Sequence, residues 1–98
     1  MTDIIQIEHE SDAERGAFHF DRQGTRLAEM TYTRAAPDMI IVDHTFVHDQ
    51  LRGLGVARKL LDALVAWARE THTKVMATCP YAKAQFEKDA SIRDVYAG

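Results

Sequence analysis

Met39–Val47 is an unbroken β-prone run, and Val56–Thr71 carries apolar side chains at helical spacing. Between them stands Gln50-Leu51-Arg52-Gly53-Leu54-Gly55, a turn with two glycines and flanking cations. A strand, a glycine turn and a helix in that order leave few folds open. The helix must lie back on a sheet, and a strand after it pairs parallel through a right-handed crossover. Glycine admits positive φ and close backbone approach. The N–H groups opening the helix point one way, at its positive end. Two readings stay open: a phosphate cradle assisted by Arg52 and Arg58, or a tight turn with solvated arginines. It is not a P-loop, since no Gly-Lys-Ser/Thr follows, and a dinucleotide fingerprint would need a third glycine.

The rest of the chain supplies strands for that helix to cover. Ile4-Ile5-Gln6-Ile7-Glu8 reads as a first strand, Asp12, Glu14 and Gly16 as a turn, and Ala17-Phe18-His19-Phe20 as a second strand. Asp21-Arg22-Gln23-Gly24 suits a hairpin with a longer loop. Residues 26–34 alternate as a half-buried antiparallel strand, with Ala28, Met30 and Tyr32 on one face. Ala35-Ala36-Pro37-Asp38 ends that ladder. Met39–Val47, apolar on both faces, is expected to be the central, buried strand, interrupted by Asp43-His44-Thr45. Strict alternation puts Asp43 and Thr45 on one face and His44 with Val42 and Phe46 on the other. Ala57, Leu60, Leu61, Leu64, Val65 and Ala68 form the stripe of the helix, with Trp67 at its border. Lys74-Val75-Met76-Ala77-Thr78-Cys79 reads as a fifth strand stopped by Pro80, and residues 81–88 as a short helix. The expected fold is α+β, one domain over 1–98: three antiparallel strands, a central strand, a crossover helix, a fifth strand parallel to it and a short C-terminal helix.

With 98 residues, 46% hydrophobic and 28% charged, the composition is that of an ordinary globular domain. A net charge of −3 gives no reason to expect nucleic acid, although basic residues gather in the second half. Cys79 is the one cysteine, which excludes an internal disulfide. No apolar leader or run near membrane-spanning length is present, so a cytoplasmic protein with no membrane partner is expected. Of the five histidines only His44 and His48 are closely spaced, too far apart along a strand to share an ion, and no metal is expected.

Gln50-Leu51-Arg52-Gly53-Leu54-Gly55 fits the Gln/Arg-x-x-Gly-x-Gly/Ala signature of the GNAT N-acetyltransferase superfamily, between central strand and helix as there. Together with His44-Thr45 and Cys79-Pro80-Tyr81-Ala82, it resembles a short, stand-alone, YjdJ-like branch of that superfamily over residues 18–95. The resemblance implies binding of acetyl-coenzyme A. The pyrophosphate would sit on the backbone from Leu51 through Arg52, Gly53, Leu54, Gly55 and Val56 to Ala57, with Gln50 and Arg58 beside it. Pantetheine would lie along Thr45, Phe46 and Val47, where the superfamily splays the next strand away. Lys83 and Lys88 would meet the 3′-phosphate, or are plain surface charge. The usual early helical cover and the extra C-terminal strands of the larger superfamily have no counterpart here, implying a shallow acceptor pocket or one completed by another chain.

Cys79 is either a nucleophile that takes the acetyl group or a small buried hydrophobe. His44 is either a base for the acceptor ammonium or for Cys79, or a core histidine. The expected activity is acetyl transfer from acetyl-CoA to an amine, on a small molecule or a protein, by a monomer or weak homodimer. The alternative is a CoA- or acyl-CoA-binding module or sensor.

Overall fold

The structure, a computed structural model, describes residues 5–98. One sheet runs in the order β1-β2-β3-β4-β5, built from β1 (Glu8–Ser11), β2 (Arg15–Arg22), β3 (Thr25–Ala36), β4 (Met39–Val47) and β5 (Lys74–Ala77). Neighbours from β1 to β4 are antiparallel, and β4–β5 is parallel. Helix α1 (Val56–Thr71) makes the crossover, α2 (Pro80–Lys88) follows β5, and a 3-10 turn, Ala90–Val95, comes next. This is the expected mixed architecture. The antiparallel and parallel parts meet at β4, although β3 lies in the middle of the five.

One face of the sheet holds the core. Val56, Leu60, Leu61, Leu64, Val65 and Ala68 form the buried stripe of α1. They pack in one cluster with Phe18, Phe20, Ala28, Met30, Tyr32, Ile40 and Val42. The opposite face carries Glu8, His19, Glu29, Thr31, Thr33, Asp43 and Phe46, and among the described residues no helix covers it. The expectation that β4 is buried on both sides is therefore corrected. Only Ile40 and Val42 of that strand are buried, while Phe46 is 42% exposed.

Local corrections follow from backbone chemistry. The first strand lies at Glu8–Ser11, and all four of its residues are exposed. Ile5 and Ile7 instead pack against the edge of the core outside any strand, and Ile4 lies outside the described residues. Pairing with β2, not an apolar pattern, defines this edge strand. The Asp12 carboxylate accepts the N–H groups of Glu14 (2.8 Å) and Arg15 (2.9 Å), closing the turn early and releasing Gly16 into β2. The β2–β3 connection is the two-residue Gln23-Gly24, at φ 51° and 79°. That is the tight hairpin geometry that matches strand twist, not a longer loop.

At the β1 end of the core, His9 stacks on Phe18 at 4.0 Å, meets Trp67 edge-on at 5.0 Å and hydrogen-bonds the Tyr32 hydroxyl at 2.7 Å. Tyr32 lies across Gly16, its register partner. A Cβ at Gly16 would stand 2.3 Å from the phenol ring, so the residue is glycine because an aromatic occupies its side-chain space. Gly16→Ala is expected to cost about 1–3 kcal/mol through overpacking; an unchanged urea midpoint would refute that account. Burial, then the nearby His19 and Arg34, lowers the pKa of His9 below its ordinary 6.5. Its contribution to stability is complete above that value and declines as pH falls toward the folded-state pKa, because the unfolded chain binds the proton first. Denaturation midpoints taken at pH 7.5 and 5.5 should differ less in His9→Gln than in the wild type.

Candidate active site

The register of β3 with β4 passes from Tyr32↔Val42 to Thr31↔His44, leaving Asp43 as an extra residue. This is a β-bulge, and it shifts the strand's alternation by one. Val42 faces the helices before it; Thr45 and Val47 do so after it, and His44 and Phe46 turn to the outer face. The assignment of Asp43 and Thr45 to one face, with His44 beside Val42, is corrected accordingly. Asp43 points outward, its two carboxylate oxygens accepting the hydroxyls of Thr31 (2.5 Å) and Thr33 (2.9 Å).

The same place ends the β4–β5 pairing, at Val42↔Ala77. The Val42 carbonyl accepts both the Thr78 N–H (2.9 Å) and the Cys79 N–H (3.1 Å), and β5 turns away into α2. Pro80 starts that helix where its missing N–H costs nothing. The second half of β4 thus keeps β3 on one side and has no strand on the other. The His48 N–H bonds the Leu27 carbonyl across to β3 at 2.7 Å. By the two-residue period, the N–H groups of Thr45 and Val47 face the opening. Inside it, Thr45 Oγ1 lies 3.1 Å from Cys79 Sγ, and Cys79 is 3% exposed.

Beyond Val47 the chain makes a 3-10 turn, Asp49–Leu51, in which Nδ1 of His48 accepts the Gln50 N–H. Leu51, Arg52 and Leu54 spend their N–H groups inside the turn, on His48, Asp49 and Leu51. Gly53 and Gly55 stand at φ 82° and 69°, conformations that a side chain would strain. Gly55 caps α1 with no side-chain hydrogen bond. Among the described residues, the N–H groups of Gly53, Gly55, Val56 and Ala57 have no protein acceptor. They border a cleft of about 350 Å³ that runs from Val47 past the turn to Tyr81 on α2.

The structure sorts the expected site residues. Val47, Leu51, Arg52, Gly53, Gly55, Val56, Ala57 and Arg58 border the cleft. The side chains of Leu51 and Val56 are core, so only their backbones face it. Gln50 lines a separate hollow with Gln23, and Leu54 is 54% exposed. Among the described residues Arg52 pairs only with Asp49 of its own turn, at 3.0 Å and well exposed, a weak tie that leaves it available. Arg58 borders the cleft and is also held by three side chains. Its Nε donates to Asp62 (2.9 Å), one Nη to Gln85 (2.8 Å) and the other to Asp89, tying α1 to the end of α2. The bonds to Asp89 and then Asp62 raise its pKa, and Ser91, then Arg58, hold the Asp89 carboxyl below the usual range. Lys83 and Lys88 are exposed on α2.

His44 and Cys79 come close in chain topology, yet the bulge sets them on opposite faces of β4. Tyr81, which sequence reasoning left without a role, borders the cleft, and burial raises its pKa. Its place in the first turn after the diverging strand was the available signal. On the outer face Glu8, His19 and Asp21 bring ligand-type atoms within 4.8 Å of one another, but both ring nitrogens of His19 already face carboxylates, Asp21 at 3.0 Å and Glu10 at 3.4 Å.

A diverging parallel pair that opens onto unpaired N–H groups at a glycine turn is the geometry on which the comparisons bear. Residues 15–95 match the family model described as GCN5-related N-acetyl-transferase. The chain belongs to the GCN5-related N-acetyltransferase family. A GCN5-like protein from Staphylococcus aureus, solved in solution by NMR, is 41% identical over 93% of this chain and 88% of its own, with a TM-score of 0.70. The ribosomal-protein-alanine N-acetyltransferase of Brucella melitensis biovar Abortus shares the fold at 24% identity and a TM-score of 0.65, over 81% of this chain and 63% of its own. Tetrahymena GCN5 does so at 11% and 0.63, over 79% and 51%. No curated protein matches the chain. The protein is thus an N-acetyltransferase of a family that uses acetyl-CoA, and no helix among its described residues is long and apolar enough to cross a membrane.

If Arg58 acts as a tie between helices, Arg58→Gln and Asp89→Asn should lower the melting midpoint and weaken CoA binding to similar extents, and the double variant should add little, since the partners are coupled. A phosphate-binding Arg58 gives the opposite sign. Removing Asp89 would then release it and tighten CoA in a calorimetric titration.

Proposed function

We propose that this acetyltransferase lays the pyrophosphate of acetyl-CoA on the N–H groups of Gly53, Gly55, Val56 and Ala57, with the pantetheine beside Thr45, Phe46 and Val47 in the opening between β4 and α2. The observation that carries this reading is the continuity between two sets of unpaired backbone donors, one at the turn and one along the open edge of β4. Arg52 is the exposed cation beside the phosphates. Lys83 and Lys88, exposed on α2, are offered for the 3′-phosphate. The thioester carbonyl would accept the N–H of Thr45 or Val47, which polarises it, and most of the acceleration comes from that donor and from positioning.

The transfer is to an amine. Its nitrogen attacks the carbonyl carbon, a C–N bond forms as the C–S bond breaks, and the departing thiolate gains a proton while the nitrogen loses one. Tyr81, a phenol whose pKa burial raises further above its ordinary 10, is the donor toward the thiolate, and His44 takes the proton on the outer side. Cys79 either neighbours the thiolate or takes the acetyl group first by thioester exchange, with Thr45 at its sulfur. A second reading, a CoA-holding module or sensor, draws on the burial of Cys79 and the uncovered outer face.

Saturating CoA at a thousandfold excess over its Kd is expected to stabilise the fold by about 4 kcal/mol; an unmoved melting curve removes both readings. Intact mass after incubation with acetyl-CoA then addresses the cysteine. An acetyl adduct that disappears in Cys79→Ser supports the relay, whereas full turnover in that variant assigns the transfer to the amine directly. A protein that binds acetyl-CoA and acetylates no amine is the module.

A further inference from the structure

We infer that His48 is a positioning residue for the coenzyme turn, holding it in shape only while its imidazole is neutral. The inference rests on the proposed acetyl-CoA site. His48 stands where the open edge of β4 passes into the glycine turn, and three hydrogen bonds meet in it. Its N–H donates to the Leu27 carbonyl of β3 at 2.7 Å, and its carbonyl accepts the N–H of Leu51 at 2.9 Å. Its Nδ1 accepts the N–H of Gln50 at 3.1 Å. Leu51 is a core residue, so these bonds join the sheet, the turn and the core at one place. Among the described residues, Nδ1 of His48 is the one side-chain atom that accepts a backbone N–H anywhere from 49 to 57.

A cap of this kind is ordinarily serine, threonine, aspartate or asparagine, none of which loses its acceptor near neutral pH. Imidazole does. Nδ1 accepts only in the neutral ring with its proton on Nε2, whereas the protonated ring carries an N–H on both nitrogens. A donor then faces the Gln50 donor, and the cap is lost. The turn it releases is the one that aims the N–H groups of Gly53, Gly55, Val56 and Ala57 into the cleft. His48 borders that cleft on one side and a hollow of about 360 Å³ on the other. The charged and titratable groups that share them are Arg22 at the hollow, Asp49 and Arg52 in the turn, Arg58 on α1 and Tyr81 on α2. Of these residue types histidine alone changes charge between about pH 5 and 8. A protonated His48 also brings a cation to the cleft, but an exposed ion pair contributes less than a helix cap, so loss of the cap sets the sign.

The test is a calorimetric titration with dephospho-CoA at pH 8.0 and 5.5 and constant ionic strength. This ligand keeps the pyrophosphate and lacks the 3′-phosphate, which itself titrates at about pH 6. The wild type should bind about three- to tenfold more weakly at pH 5.5. In His48→Asn, Oδ1 stands as many bonds from the backbone as Nδ1 and accepts at both pH values, so the affinity should stay at the wild-type value of pH 8.0. His48→Ala should be equally weak at both; if it fails to fold, the flat profile of His48→Asn carries the test. In the ligand-free protein the Gln50 amide shift should follow the protonation of His48 and lose that dependence in His48→Asn. A wild-type affinity that rises as pH falls makes His48 a cation for the phosphates and overturns the inference. So does a flat wild-type profile, or a pH dependence that survives His48→Asn. Dephospho-CoA that binds at neither pH, with the Gln50 amide still following His48, overturns the cofactor reading beneath it instead.

Discussion

The carbonyl of Val42 accepts two N–H groups, from Thr78 and Cys79, where a regular parallel ladder would supply one. The rest of the site depends on that double bond. It ends β5, starts α2 at Pro80, and leaves the second half of β4 with an open edge. An unpaired strand edge is ordinarily a liability, met by charge, bulges or cover. Here the bulge at Asp43 coincides with the divergence, and the edge beyond it faces a cleft instead of solvent alone. Each donor that stays unpaired in a desolvated site costs about 1–3 kcal/mol. A ligand that supplies acceptors along that edge recovers this, so the opening is built to be filled.

The glycine turn works by the same economy of donors. Of the N–H groups from 51 to 57, three close the turn on itself and four remain outward. The turn is held from below by Leu51 and Val56, both in the core, so its free donors sit on a fixed base. Arg58 makes more contacts than its sequence position suggests. It lies in the first turn of α1, beside a presumed anion, yet three side chains claim its guanidinium. Its guanidinium ties α1 to the end of α2 while the residue also borders the cleft.

What could be read from the chain alone divides along physical lines. The bounds of helix α1 were legible because its stripe is periodic and glycine marks its start, although Val56, not Ala57, opens the buried stripe. The order of the strands and the parallel crossover followed from the same pattern. Edge strand β1 was not legible, since all its residues are exposed and pairing alone defines it, while the apolar Ile5 and Ile7 drew attention to the wrong segment. Nor was the two-residue turn at Gln23-Gly24, where glutamine takes a conformation usually left to asparagine or glycine. The largest miss was the bulge. One inserted residue reverses every assignment of face after it, and nothing in Asp43-His44-Thr45 distinguishes an extra residue from an alternating one.

On the proposed reading, that reversal is also what would let a thin domain serve two substrates. With strict alternation, Thr45 and Asp43 would share a face, and the sulfur of Cys79 would meet a histidine in place of a hydroxyl. With the bulge, β4 presents Thr45 and Val47 to the helix side and Asp43, His44 and Phe46 to the other. On the proposed reading, the two sides of β4 meet at its open backbone edge, where the acceptor nitrogen would reach the thioester. No further layer is needed for that division. The uncovered outer face, a deficit when judged as a core, is the side from which the proposed function brings the acceptor.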